Sequence, residues 1–164
     1  MKPSDLPDIV VLARTLNRHR VKWVLIGGMA LILHGGNHST IDCDVAFEKS
    51  RENLESLQAA LEELGARPKR ASDEGEFELD FSILLGPFMH LKSLAGDIDL
   101  INRLPGIEKF DDLYQRSEQI DIGGETIRIA SIDDMIRLKE NSTRVRDREH
   151  VYELRALKKL AEET

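Results

Sequence analysis

The sequence predicts an α/β (α+β) fold: a mixed β-sheet flanked by helices. Three observations predict it. Short segments that alternate apolar and polar residues, a strand period, interleave with longer segments of helical period. Glycine and proline clusters separate the two kinds of segment. Two of the strand-like segments also carry paired aspartates, Asp42/Asp44 and Asp97/Asp99, which on extended backbone point to one face.

The elements follow in order. Residues 7–20 place Ile9, Val10, Ala13 and Leu16 at helical spacing, with Pro3 and Pro7 where a helix start tolerates proline. Residues 21–26, with Trp23 and β-branched neighbours, read as a strand ended by Gly27-Gly28. Residues 29–34 read as a short buried helix stopped by Gly35-Gly36-Asn37. Residues 41–47 alternate Ile41, Cys43, Val45 and Phe47 against Asp42, Asp44 and Ala46, a strand. Residues 50–64 put Leu54, Leu57, Leu61 and Leu64 on one helical face before Gly65.

Residues 67–75 are polar and read as a loop, and residues 76–85, alternating Phe77, Leu79, Phe81 and Ile83, as a strand. Another strand spans 96–101 and ends at Leu104-Pro105-Gly106. Residues 120–122 and 126–129 form a hairpin around Gly123-Gly124. Ser131 caps a helix that holds Ile132, Met135, Ile136 and Leu138, and Asp133 and Asp134 suit its first turn. A last helix runs over 146–162 with Val151, Leu154, Leu157 and Leu160 expected inward. The 164 residues fit one domain spanning 1–164, whose C-terminal part, about 131–164, is helical.

Composition narrows the function. The apolar fraction of 41% suffices for a core, and no run is long and apolar enough for a membrane helix. No secretion signal is visible at Met1-Lys2-Pro3-Ser4-Asp5, so a cytoplasmic location is expected. The single cysteine, Cys43, excludes an internal disulfide and is expected to face the core. A net charge of −7 argues against a protein that coats nucleic acid. The charge is uneven: residues 42–80 hold 12 acidic and 5 basic side chains, residues 137–159 hold 8 basic and 4 acidic. The basic stretch could meet polyphosphate or RNA, or form a solvated helix face.

The paired carboxylates carry the chemistry. Bare carboxylates a few ångströms apart raise each other's pKa. A divalent cation removes that penalty, and all-oxygen ligands suit magnesium. If strand 96–101 neighbours strand 41–47, Asp99 completes a triad with Asp42 and Asp44. Asp97, beside Gly96, reads as a strand-entry residue. The nearby glycine pair offers a phosphate cradle. Together these point to a nucleoside triphosphate site.

In this order the motifs resemble the nucleotidyltransferase superfamily, the polymerase-β-like enzymes, with most likeness to its minimal single-domain members and to AbiEii-type toxin enzymes. The residues that carry the resemblance are Ile26-Gly27-Gly28-Met29-Ala30-Leu31, Thr40-Ile41-Asp42-Cys43-Asp44-Val45, Asp97-Ile98-Asp99-Leu100, and the block from Ala130 to Lys139 followed by Arg144-Val145-Arg146-Asp147. The resemblance implies a mixed-sheet nucleotidyltransferase fold and an NTP-dependent, metal-dependent enzyme, with two Mg2+ ions held by Asp42, Asp44 and Asp99. It implies nucleotide contacts from Gly27, Gly28, Thr40, His38, Lys139, Arg144 and Asp147, with ATP among the candidate nucleotides. His38 stands where related sequences often carry arginine, and histidine is a pH-dependent phosphate partner.

Three functions remain open. The chain could transfer a nucleotide to RNA or a protein hydroxyl in a toxin–antitoxin setting, with an antitoxin partner. It could modify a small molecule, as enzymes acting on aminoglycosides do. It could be a non-catalytic nucleotide-binding module. His34 reads as a structural histidine; His90 and His150 carry no sequence signal, and Arg103 reads as a surface residue.

Overall fold

A computed structural model describes residues 7–69, 78–86, 88–142 and 144–164. Helix α1 (Ile9–Arg18) starts where Asp8 accepts a hydrogen bond from the Val11 amide, and it buries Leu12, Ala13 and Leu16. Strand β1 (Trp23–Ile26) is buried along its length and runs straight into helix α2 (Gly27–Leu33). Strand β2 (Asp42–Phe47) buries Cys43, Val45, Ala46 and Phe47. Ile41, expected inside, lies before the strand and is exposed, because the chain straightens into the ladder only at Asp42. Helix α3 (Arg51–Glu63) is capped by Ser50 and turns Leu54, Leu57 and Leu61 inward, as its spacing predicts.

The next stretch departs from the sequence reading. Arg67 and Pro68 form a short strand, β3 (Arg67–Pro68), where a loop was expected. Positions 70–77 of the expected loop and strand lie outside the described residues. The rest of the expected strand is instead a helical turn, α4 (Phe81–Leu84). Asp80 caps it by accepting from the Ile83 amide at 3.0 Å, and a cap of this kind outweighs a short alternating pattern. Strand β4 (Phe88–Ser93) had no sequence counterpart.

Strand β5 (Gly96–Ile101) follows a tight turn at Leu94-Ala95. Helix α5 (Phe110–Arg116) was also not anticipated. Strands β6 (Glu118–Ile122) and β7 (Glu125–Ile129) are the expected hairpin. Helix α6 (Ile132–Glu140), capped by Ser131, and helix α7 (Val145–Glu162) close the chain.

The strands form one seven-stranded mixed sheet in the order β3-β4-β5-β2-β1-β7-β6. The pairs β2–β5 and β1–β7 are parallel and the others antiparallel. The core joins Leu12 and Leu16 of α1, Leu57 and Leu61 of α3, and the sheet residues Leu25, Val45, Ile98 and Leu100. Asp134, with no exposed surface, accepts from Arg116 at 2.9 Å and from Arg137 at 2.6 Å, which ties α5 to α6. His34 donates from Nε2 to the Ala130 carbonyl at 2.7 Å, the structural role its sequence context suggested. Among the described residues no helix is long and apolar enough to cross a membrane.

Leu57, fully buried, should cost about 2–5 kcal/mol of stability when cut to alanine. Leu94 is 79% exposed in its turn, and its replacement by alanine should stay within about 0.5 kcal/mol. Urea unfolding of both variants checks the contrast.

Candidate active site

The register of β2 against β5 places the aspartates. In this parallel pair Asp42 lies opposite Asp97 and Asp44 opposite Asp99. The alternation along each strand brings Asp42, Asp44 and Asp99 to the same face, each with a carboxylate oxygen within 4.8 Å of the others. Asp97 does not join them; its carboxylate pairs with Lys69 Nζ at 2.6 Å. Thr40 donates its hydroxyl to Asp42 Oδ1 at 3.2 Å, so it orients this carboxylate.

The cluster is electrostatically unbalanced. Burial first, then the charges of Asp42 and Asp99, push the Asp44 carboxyl up to about 8. Burial and Asp42 push Asp99 up to about 7. Cys43 lies between the two aspartates of β2 but points to the core; burial and the same acidic charges lift its thiol to about 12.

The glycine pair is built into this site. Gly27 has φ +72°, a conformation side chains rarely adopt, and a Cβ on it would lie 1.8 Å from Asp44 Oδ2. A Cβ on Gly28 would press on the His38 ring at 3.2 Å and on Thr40 Cβ at 3.3 Å. Close approach and backbone conformation thus require glycine at 27, while at 28 a side chain would crowd His38 and Thr40. Ile26 at the N-cap of α2 makes no side-chain bond to the amides of the first turn.

Beside the cluster opens a cleft of about 570 Å³. Asp44 and Gly27 form one end of its wall. Ile26, Ile101, Met135 and Leu138 give it an apolar lining, and Arg103, Lys139 and Arg144 a basic one. Lys139 lies close enough to Asp44 to oppose the rise in its pKa, and it donates to Asp147 Oδ1 at 2.9 Å. Burial pushes the Asp147 carboxyl up, but hydrogen bonds from Ser142 and Lys139 hold it below the usual range. Asp147 thus fastens α7 to α6 at the cleft wall.

His38 meets the ring of His150 edge-on, with centroids 4.7 Å apart. Burial, with Lys139 and His38 nearby, keeps the His150 pKa below its ordinary value, and its buried Nδ1 has no hydrogen-bond partner.

All the sequence-selected residues therefore fall at one corner of the sheet. Sequence reasoning missed Phe88, Arg103 and His90. Phe88 and Arg103 line the cleft; Arg103 is on the surface, as expected, yet on the cleft wall. His90 Nδ1 lies 2.5 Å from Asp99 Oδ1.

A donor set of three crowded carboxylates and no nitrogen or sulfur fits a hard divalent cation, which would offset the burial and the mutual repulsion that raise the Asp44 and Asp99 carboxyls.

Comparisons with known proteins bear on the family and the fold. The model of a family described as nucleotidyltransferase of unknown function (DUF6036) matches residues 5–162. Among solved structures, the lincosamide antibiotic adenylyltransferase LnuA, in its lincomycin-bound form, shares 14% identity at a TM-score of 0.58, over 92% of this chain and 96% of that one. A Thermotoga maritima protein assigned to the nucleotidyltransferases shares 16% identity at a TM-score of 0.51, over 93% and 89%. Comparison with curated proteins by sequence gave no significant match. At these identities the two structures speak to the fold alone.

The shifted carboxyls set a pH dependence. Asp44 and Asp99 hold protons in the folded chain that they lose in the unfolded chain, where carboxyls titrate near 4. Between about pH 4 and 8 the folded state binds more protons, so stability falls as pH rises. The Tm of the metal-free protein should therefore drop from pH 5 to pH 8, and millimolar Mg2+ should restore it most at pH 8. A Tm that rises with pH, or ignores Mg2+, contradicts this electrostatic account.

Proposed function

This chain belongs to the nucleotidyltransferase family DUF6036, and on that premise we propose that it moves a nucleoside monophosphate from a nucleoside triphosphate to a hydroxyl acceptor, with magnesium held by Asp42, Asp44 and Asp99. The observation that carries the reading is a junction: the three carboxylates, the glycine-started helix and a cleft with basic and apolar walls meet at one corner.

Each residue then has a task. Gly27 and Gly28 let backbone amides approach the triphosphate with no Cβ in the way. Lys139 and Arg144 bring positive charge to it, and Asp147 sets where the Lys139 ammonium sits. His38 adds a ring nitrogen beside Gly28. Thr40 orients Asp42. The apolar wall of the cleft receives the base. Asp99 takes the proton of the acceptor hydroxyl as its oxygen bonds to the α-phosphorus. The bond to the bridging oxygen breaks, and pyrophosphate leaves with that electron pair. Divalent cations held by Asp42, Asp44 and Asp99, two in this reading, would supply Lewis-acid charge to the acceptor oxygen and the departing pyrophosphate.

The acceptor has two readings. Exposed Arg144, Arg146 and Arg148 at the start of α7, the first of them lining the cleft, favour a polyanion such as RNA, or a protein hydroxyl in a toxin–antitoxin pair. A small-molecule acceptor draws support from the other basic side chains of this stretch. Arg137, Lys139, Arg155 and Lys158 are already paired with Asp134, Asp147, Glu140 and Asp133. The fold likeness to a lincosamide adenylyltransferase over 92% of the chain points the same way.

Asp42→Asn and Asp44→Asn should each lower transfer about 10³-fold, the loss of several kcal/mol of charge stabilisation. Radiolabelled nucleotides with Mg2+ and a panel of acceptors measure it; wild-type rates in both variants would remove the mechanism. Salt separates the acceptors. Transfer to RNA through the three arginines should fall steeply between 50 and 200 mM salt (roughly tenfold or more), and transfer to a small neutral acceptor should change little.

A further inference from the structure

We propose that His90 is the positioning residue of the carboxylate cluster: its Nδ1–H holds the Asp99 carboxylate in the orientation that a divalent cation needs. The proposal rests on the metal-dependent reading above and adds a residue that this reading does not require.

The geometry is set by the backbone. In the antiparallel pair β4–β5, His90 stands directly opposite Asp99, and its Nδ1 lies 2.5 Å from Asp99 Oδ1. An ionised carboxylate only accepts, so the ring nitrogen donates. A neutral Nδ1–H tautomer and an imidazolium both provide that donor, so the contact does not depend on the charge of His90.

Asp99 needs a donor. Its side chain is 10% exposed, and its nearest partners in the cluster, Asp42 and Asp44, are acceptors when ionised. Two lysines near the cluster have carboxylate partners outside it: Lys69 pairs with Asp97 and Lys139 with Asp147. Phe88, two residues before His90 and so on the same face of β4, packs edge-on against the imidazole, with centroids 4.1 Å apart and planes at 85°. Phe88 also lines the cleft. The imidazole is thus braced between the cleft wall and a cluster carboxylate. Ligating carboxylates with such an outer partner lose about 10–100-fold in metal affinity or activity without it.

The test is Mn2+ binding to the full-length chain, read as free Mn2+ by electron paramagnetic resonance. His90→Ala should weaken binding by about 10–100-fold and lower kcat while leaving KM for the nucleotide unchanged. His90→Asn, whose side-chain amide offers an N–H near the place of Nδ1, should recover binding to within about threefold of wild type. In the Mg2+-loaded protein, where Asp99 is ionised, imidazole 15N spectra should show His90 protonated at Nδ1. Wild-type Mn2+ affinity in His90→Ala, or equal losses in the alanine and asparagine variants, overturns the proposal. Asp99→Asn and Asp42→Asn separate the two levels. If they too bind Mn2+ like wild type, the metal-dependent reading falls with the proposal. If they abolish binding while His90→Ala does not, only the role of His90 falls.

Discussion

The fold holds three carboxylates closer together than they would settle in water. The cause is the parallel register of β2 and β5, which puts Asp44 beside Asp99 with Asp42 two residues away on the same face. The ladder is fixed from behind by side chains that cannot move. Cys43, Val45, Ile98 and Leu100 are buried, and slipping the register by one residue would turn aspartates into the core. Hydrophobic packing on one face of the sheet thus enforces electrostatic strain on the other. The raised carboxyl pKa values of Asp44 and Asp99 record both their burial and that crowding.

The surroundings are arranged around the same constraint. Gly27 has no side chain because Asp44 occupies the space one would fill. Lys69 neutralises Asp97, the aspartate that stays out of the cluster, and Thr40 steadies Asp42. At the cleft wall the Lys139–Asp147 pair joins α6 to α7, so positive charge is held at a fixed place rather than on a free side chain. Much of the basic character of the C-terminal stretch is spent on such internal pairs, while Arg144, Arg146 and Arg148 stay exposed.

How much of this was legible in the sequence followed from how local each signal was. Strands β2 and β5 could be read because alternation and acidic pairing occur inside six residues, and α3 and α6 because a cap and an apolar stripe agree. Residues 78–84 misled, because a two-residue alternation over so short a stretch cannot be told from one capped helical turn, and the Asp80 cap decided it. Strand β4 gave no signal: Phe88 and His90 are exposed, Met89 and Lys92 half-buried and Leu91 alone buried, so its six residues show no sustained alternation, and its place is fixed by pairing with β5. The contact between His90 and Asp99 was hidden with it. A hairpin turn at Leu94-Ala95 would have supplied the register. The cleft was not readable, since its walls come from β1, β4, β5 and α6, far apart in the chain.

Cys43 carries a practical consequence. Its sulfur is 1% exposed, faces away from the cleft, and is held in its protonated, unreactive form by burial and by its acidic neighbours. For thiol-directed labelling the native protein is therefore already a silent background. A cysteine introduced at an exposed site such as Tyr152 would take up a maleimide fluorophore alone, and distances to a labelled ligand could be followed with no native residue removed.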